Sequence, residues 1–148
     1  LIQRAENVNG KKVIIGPKGS RNRDIAKVHE YGAIEMPVSG AFGEFWKRKT
    51  GRDTINIPER SFIRNGWDSN AATLVPYIER VAGQYATGGI TDAELFQLTG
   101  RKVALAIQDY MRALTAPPNH PLVQEYKGFN DPLIHTGQLL ASVDYEVQ

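Results

Sequence analysis

The sequence predicts an α+β domain, in which a small mixed or antiparallel β-sheet packs against two central antiparallel helices. Three observations predict it. β-Branched or alternating apolar runs lie near the two ends of the chain, at residues 12–15 and 142–147. Apolar residues between Leu74 and Leu114 recur at steps of three and four. Thr91 and Glu94 punctuate that helical stretch with a start signal. The chain of 148 residues has the size of one domain, which buries roughly 70% of the surface its unfolded chain exposes. No internal repeat divides it, so residues 1–148 are expected to form one unit.

Taken in order, residues 12–15 form a strand ended by Gly16-Pro17, and Gly19-Ser20-Arg21-Asn22 has turn composition. Residues 25–31 suit either the second arm of a hairpin or a short helix ending at Gly32. Residues 37–57 mix Gly40, Gly43 and Gly51 with Phe42, Phe45 and Trp46, without a sustained period. They are expected to form a long loop or hairpin excursion from the core, the kind of segment that contacts partners. Leu74, Ile78, Val81, Ala82 and Tyr85 line one face of a helix that ends near Gly88-Gly89. Thr91 then opens a second helix, whose stripe of Val103, Ile107, Tyr110, Met111 and Leu114 stops at Pro117-Pro118. Gly100 inside it costs about 1 kcal/mol relative to Ala. Residues 127–132 read as a turn-rich loop and residues 136–141 as a single helical turn. In the final strand Val143, Tyr145 and Val147 share one side. It should pair with the first strand, because a lone strand leaves its backbone groups unsatisfied.

Eighteen Lys and Arg against sixteen Asp and Glu leave a net charge of +2, too little to mark a nucleic-acid-binding surface. The basic residues are nevertheless clustered: Lys47, Arg48, Lys49 and Arg52 form one group, and Lys11, Lys12, Lys18, Arg21 and Arg23 another. With no cysteine, disulfides and thiolate metal sites are excluded. No apolar run approaches the roughly 20 residues of a membrane span, and no charged-then-apolar leader is visible. A first residue of Leu rather than Met leaves open whether residues precede it.

Motifs that carry chemistry are missing. His29, His120 and His135 do not share helical spacing or an HExxH pattern. His120, between Asn119 and Pro121, lies in a turn that needs nothing from an imidazole. Gly16-Pro17-Lys18-Gly19-Ser20 lacks the spacing of a phosphate loop, and Pro17 removes an amide that would face phosphate. Nucleophile elbows and dinucleotide fingerprints are absent. The chain is therefore expected not to be an enzyme and to need no cofactor or metal.

Two segments resemble the virion morphogenesis and tail-completion proteins of tailed phages. Val28-His29-Glu30-Tyr31-Gly32, followed by Ile57-Pro58-Glu59-Arg60-Ser61-Phe62-Ile63-Arg64, is similar to that family's VHEyG…IPaRpFlr pattern. Residues 127–143, KGFNDPLIHTGQLLASV, resemble its KGsdkPLidTGqLlnSi. Ser61 stands where the family often has Pro, His135 where it often has Asp, and the 37–53 segment is longer. The matched residues read as folding devices. Pro58 precedes a helix beginning near Ser61 and Phe62 anchors it in the core; Arg60 bridges to an acidic residue or stays solvated. Thr136 caps the short turn, with Pro132 and Gly137 setting its bend.

The resemblance implies a structural protein of the virion neck or tail end, made in the host cytoplasm. Copies would form a ring, commonly sixfold, joining the head connector or adaptor protein to the tail tube or tail terminator. Such a ring closes only if one subunit surface fits a different surface of its neighbour. Lys47, Arg48, Lys49 and Arg52 would then face the lumen and its DNA, or an acidic neighbouring protein. The alternative is a nucleic-acid-binding protein whose basic segments are the primary site.

Overall fold

The computed structural model describes residues 6–133 and 137–148. Strand β1 (Val13–Pro17) leads into helix α1 (Ser20–Tyr31), followed by β2 (Ala33–Pro37), α2 (Gly40–Thr50) and β3 (Thr54–Ile57). Two long helices come next, α3 (Phe62–Ala86) and α4 (Asp92–Ala113). Then come α5 (Pro121–Lys127), α6 (Gln138–Ser142) and β4 (Val143–Val147). The fold is α+β, as expected. Its strands form two separate antiparallel pairs, β1 with β4 and β2 with β3, rather than one sheet. The chain's first and last strands do pair, from Val13 opposite Val147 to Pro17 opposite Val143.

The core lies where α3 crosses α4. Phe62 and Leu74 of α3 meet Val103, Ile107 and Met111 of α4, while Ala26 of α1, Leu133, Leu139 of α6 and Val143 of β4 close the cluster. Phe62 is 0% exposed, so the aromatic of the IPERSF segment is the anchor its position suggests. At the start of α4 the Thr91 hydroxyl accepts from the Glu94 amide at 3.2 Å, and the Glu94 carboxylate accepts from the Thr91 amide at 2.8 Å. This is the capping box read from the sequence. These hydrogen bonds hold the Glu94 carboxyl below its usual range.

Gly100 is explained by packing. A Cβ placed there would come within 2.8 Å of the Tyr145 Cβ and overlap its ring, so the missing side chain lets β4 lie against α4. Helix propensity alone favours Gly100→Ala by about 1 kcal/mol. Overpacking should reverse the sign, and we expect urea denaturation to show a net loss of about 2 kcal/mol. An unchanged or higher midpoint would mean that β4 has room to move.

Three segments differ from the sequence reading. Ser20, Arg21 and Asn22 open helix α1 instead of forming a turn, and of the two forms open to residues 25–31 the helical one is found, with Ala26 and Glu30, four residues apart, both turned into the protein. Gly32 ends that helix at φ +73°, where an added Cβ would lie 2.9 Å from the Ile57 carbonyl. The 37–57 segment runs from the last residue of β2 through β3, which pairs with β2, and the connection between the two strands is helix α2 rather than a loop. Phe42, Phe45 and Trp46 share one face at helical spacing, a signal spread over little more than one turn and interrupted by glycines. That face packs on α5, with Tyr126 centred 5.1 Å from Phe42 and 5.3 Å from Phe45. Residues 121–127 are themselves helical, which the sequence reading did not anticipate.

Candidate functional site

Among the described residues, members of both motifs meet around the end of α1, where His29, Arg60, Lys127, Pro132 and Leu133 border one space. Glu30, 7% exposed, points at the start of α3. Its Oε1 accepts from the Ser61 hydroxyl at 2.6 Å and the Arg64 amide at 3.1 Å, and its Oε2 accepts from the Ile63 amide at 3.0 Å. Helix α3 has no acidic residue in its first turn and no capping side chain from Ser61. A carboxylate from α1 therefore satisfies its free amides and complements its dipole. Ser61 contributes a hydroxyl to the same carboxylate.

Arg60 corrects the sequence expectation. It is 4% exposed and makes neither an acidic bridge nor a solvated surface group. Its Nε donates to the Pro117 carbonyl at 2.7 Å and its Nη2 to the Pro118 carbonyl at 2.8 Å. The two adjacent prolines bring carbonyls and no donors of their own, and Arg60 supplies what that turn lacks. Burial holds its pKa below the ordinary arginine value, yet a guanidinium stays charged at any physiological pH.

Beside Arg60 opens a cleft of about 520 Å³. Asn22, Ile25 and His29 of α1 form one wall through a helical stripe, and β2, β3 and the start of α2 form another. Asn119, His120 and Lys127, at the two ends of α5, face them across the opening. Burial pushes the His29 imidazole down to about 4, with the charges of Arg60 and Lys127 adding to the effect. Its buried Nδ1 has no hydrogen-bond partner among the described residues. Burial also lowers the Lys127 pKa, Asp131 opposing and Arg60 adding to the shift. His120 is not idle in its turn, since its Nδ1 accepts from the Leu122 amide at 3.2 Å and caps α5.

The other residues singled out from the sequence fall elsewhere or at the rim. Pro58 and Pro132 line the cleft, and Gly137 precedes α6 at φ +75°. Thr136 and His135 lie outside the described residues. Lys47, Arg48 and Lys49 occupy the last turn of α2 and Arg52 follows it, a position where cations complement the helix dipole. None of the four lines the cleft. Lys49 is tied to Glu125 of α5 at 2.8 Å, whereas Lys47, Arg48 and Arg52 are exposed and make no ion pair among the described residues. Glu30, Asn119 and Lys127 were missed as functional positions in the sequence. The unassisted start of α3 is the signal that pointed towards a carboxylate such as Glu30.

Among the described residues no group of three or more His, Asp or Glu side chains is placed to hold a metal ion, and no helix is long and apolar enough to cross a membrane. Fold and site together define an α+β protein with a basic, apolar-walled cleft held by buried polar framework residues. No family model matches the chain, and no curated protein or solved structure is significantly similar to it.

Proposed function

We propose that this chain is a structural subunit of the neck or tail end of a tailed-phage particle, acting by assembly with copies of itself into a ring between head connector and tail tube. The observation that carries the reading is an exposed apolar edge. Ile34 of β2 is 86% exposed and Tyr31, at the end of α1, 70%. β2 pairs only with β3 among the described residues, so its other side is a strand edge at which a neighbour could pair. Apolar side chains beside an open strand edge suit a head-to-tail contact, in which unlike surfaces meet. The motif resemblance supports the same reading, with Glu30, Arg60 and Phe62 serving as framework.

Interrupting the coding sequence in a producing phage should leave heads and tails unjoined in electron micrographs; complete infectious particles would overturn the proposal. Ile34→Lys should block joining while leaving the melting of the isolated protein within about 0.5 kcal/mol of wild type, as befits an exposed site. Neutralising Lys47, Arg48, Lys49 and Arg52 should permit assembly but alter DNA retention or docking. The exposed Lys47, Arg48 and Arg52 favour a second reading, direct nucleic-acid binding. Steeply salt-dependent DNA binding by isolated monomers would support it, and rings without DNA affinity would reject it.

A further inference from the structure

We propose that the cleft beside Arg60 is a binding site for a carboxylate carried on an apolar body. The inference does not depend on the neck assignment.

The cleft gathers one donor that lacks an acceptor and two cations that lack a carboxylate partner among the described residues. Asn119 is 6% exposed, lines the cleft, and its buried Nδ2 has no hydrogen-bond partner among the described residues. An unpaired amide donor in such a place costs roughly 1–3 kcal/mol, which a ligand with a free acceptor recovers. Arg60 spends Nε and Nη2 on two uncharged carbonyls, and Lys127 donates to the Asp131 backbone carbonyl at 2.7 Å. Neither cation is paired with a carboxylate among the described residues. Glu30, the nearest acid in sequence to His29, is spent on Ser61 and the first amides of α3. A ligand group that only accepts hydrogen bonds and carries negative charge meets all three deficits, and an ionised carboxylate is such a group.

The walls determine what the carboxylate is attached to. Met36, Val38, Phe42, Ile55, Val123 and Leu139 present apolar surface to the same space. Its volume of about 520 Å³ lies in the range of small-ligand sites, which are mostly apolar with a few convergent polar groups. A phosphate dianion would leave those walls unused and is more costly to desolvate. The same chemistry is available from a free aliphatic acid or from an acidic side chain among apolar neighbours on another polypeptide.

Titration of the purified protein with hexanoate, followed by amide and side-chain NMR, tests the site. Saturable shifts centred on the Asn119 and Lys127 signals are expected, with hexanamide and inorganic phosphate binding at least about tenfold more weakly, the value of one charge-assisted hydrogen bond. Asn119→Asp, which replaces the donor with a negative charge, and Lys127→Met, which keeps the apolar stem, should each weaken hexanoate by about tenfold or more. Their circular dichroism should match wild type, and if one variant misfolds the other decides. Absence of saturation, equal binding of hexanamide, tighter binding of phosphate, or unchanged affinity in both folded variants would overturn the proposal. Mass spectrometry of material released on denaturing the purified protein separates the sources. A stoichiometric organic acid indicates a free ligand, and hexanoate binding without any released acid indicates a polypeptide donor.

Discussion

Glu30→Ala should cost the protein about 4 kcal/mol of stability, because one carboxylate serves three donors and each hydrogen bond to a charged acceptor contributes about 1.5–3 kcal/mol, less than additively. Removing it leaves the Ser61 hydroxyl and the Ile63 and Arg64 amides without an acceptor in a region that water reaches poorly. The loss is a large share of the roughly 5–15 kcal/mol that holds a domain together. Glu30→Gln should fall between wild type and Ala. The amide oxygen still accepts from Ser61 and Arg64, but the amide nitrogen then faces the Ile63 N–H, donor against donor. Urea denaturation of the three proteins checks the order. A Gln variant as stable as wild type would show that the charge at the start of α3 is immaterial and that only hydrogen-bond acceptance counts.

Stability should also fall as pH drops from about 6.5 towards about 4, the interval between the ordinary histidine value and that of His29 in the folded protein. The folded pKa is depressed, so within this interval the unfolded chain binds a proton that the folded chain refuses. Stability is therefore complete above the unfolded pKa and declines as pH falls through the window. An interval of that width corresponds to about 3 kcal/mol at most. Asp92, Glu94 and Asp144, whose carboxyls are held below their usual values by hydrogen bonds to Lys11, Thr91 and Lys18, lose their contributions lower in the pH range. The difference between wild type and His29→Gln isolates the histidine. Its slope should vanish in the variant between about pH 6.5 and 4, and an NMR titration of the folded wild type should place the His29 midpoint near 4. A midpoint at the ordinary value would mean that the imidazole is open to water.

The two halves of the VHEYG and IPERSF segments show how far a pattern carries. Their spacing pointed correctly to a helix start beside Ser61 and to Phe62 as an anchor. It did not reveal that Glu30 caps the helix that Phe62 begins, because Glu30 lies 31 residues from Ser61 in the chain. Arg60 misled for a related reason. A lone arginine in sequence suggests an acid or solvent, while its partners are the carbonyls of Pro117 and Pro118, 57 and 58 residues away. Helix α2 was obscured by its glycines, of which Gly43 sits in a tight contact, an added Cβ lying 3.0 Å from the Val38 carbonyl.

Residue periodicity and local hydrogen-bonding chemistry were sufficient for the α+β class, the α3–α4 core, the Thr91–Glu94 box and the β1–β4 pairing, since each depends on neighbours a few residues apart or on backbone groups that must find a partner. The cleft, the burial of His29 and Arg60, and the unpaired Asn119 amide emerged only from the folded chain. Such features arise where α1, β2, β3 and α5 come together from distant parts of the sequence. Charge and solvation there depend on which groups face one another, and local spacing carries no record of that.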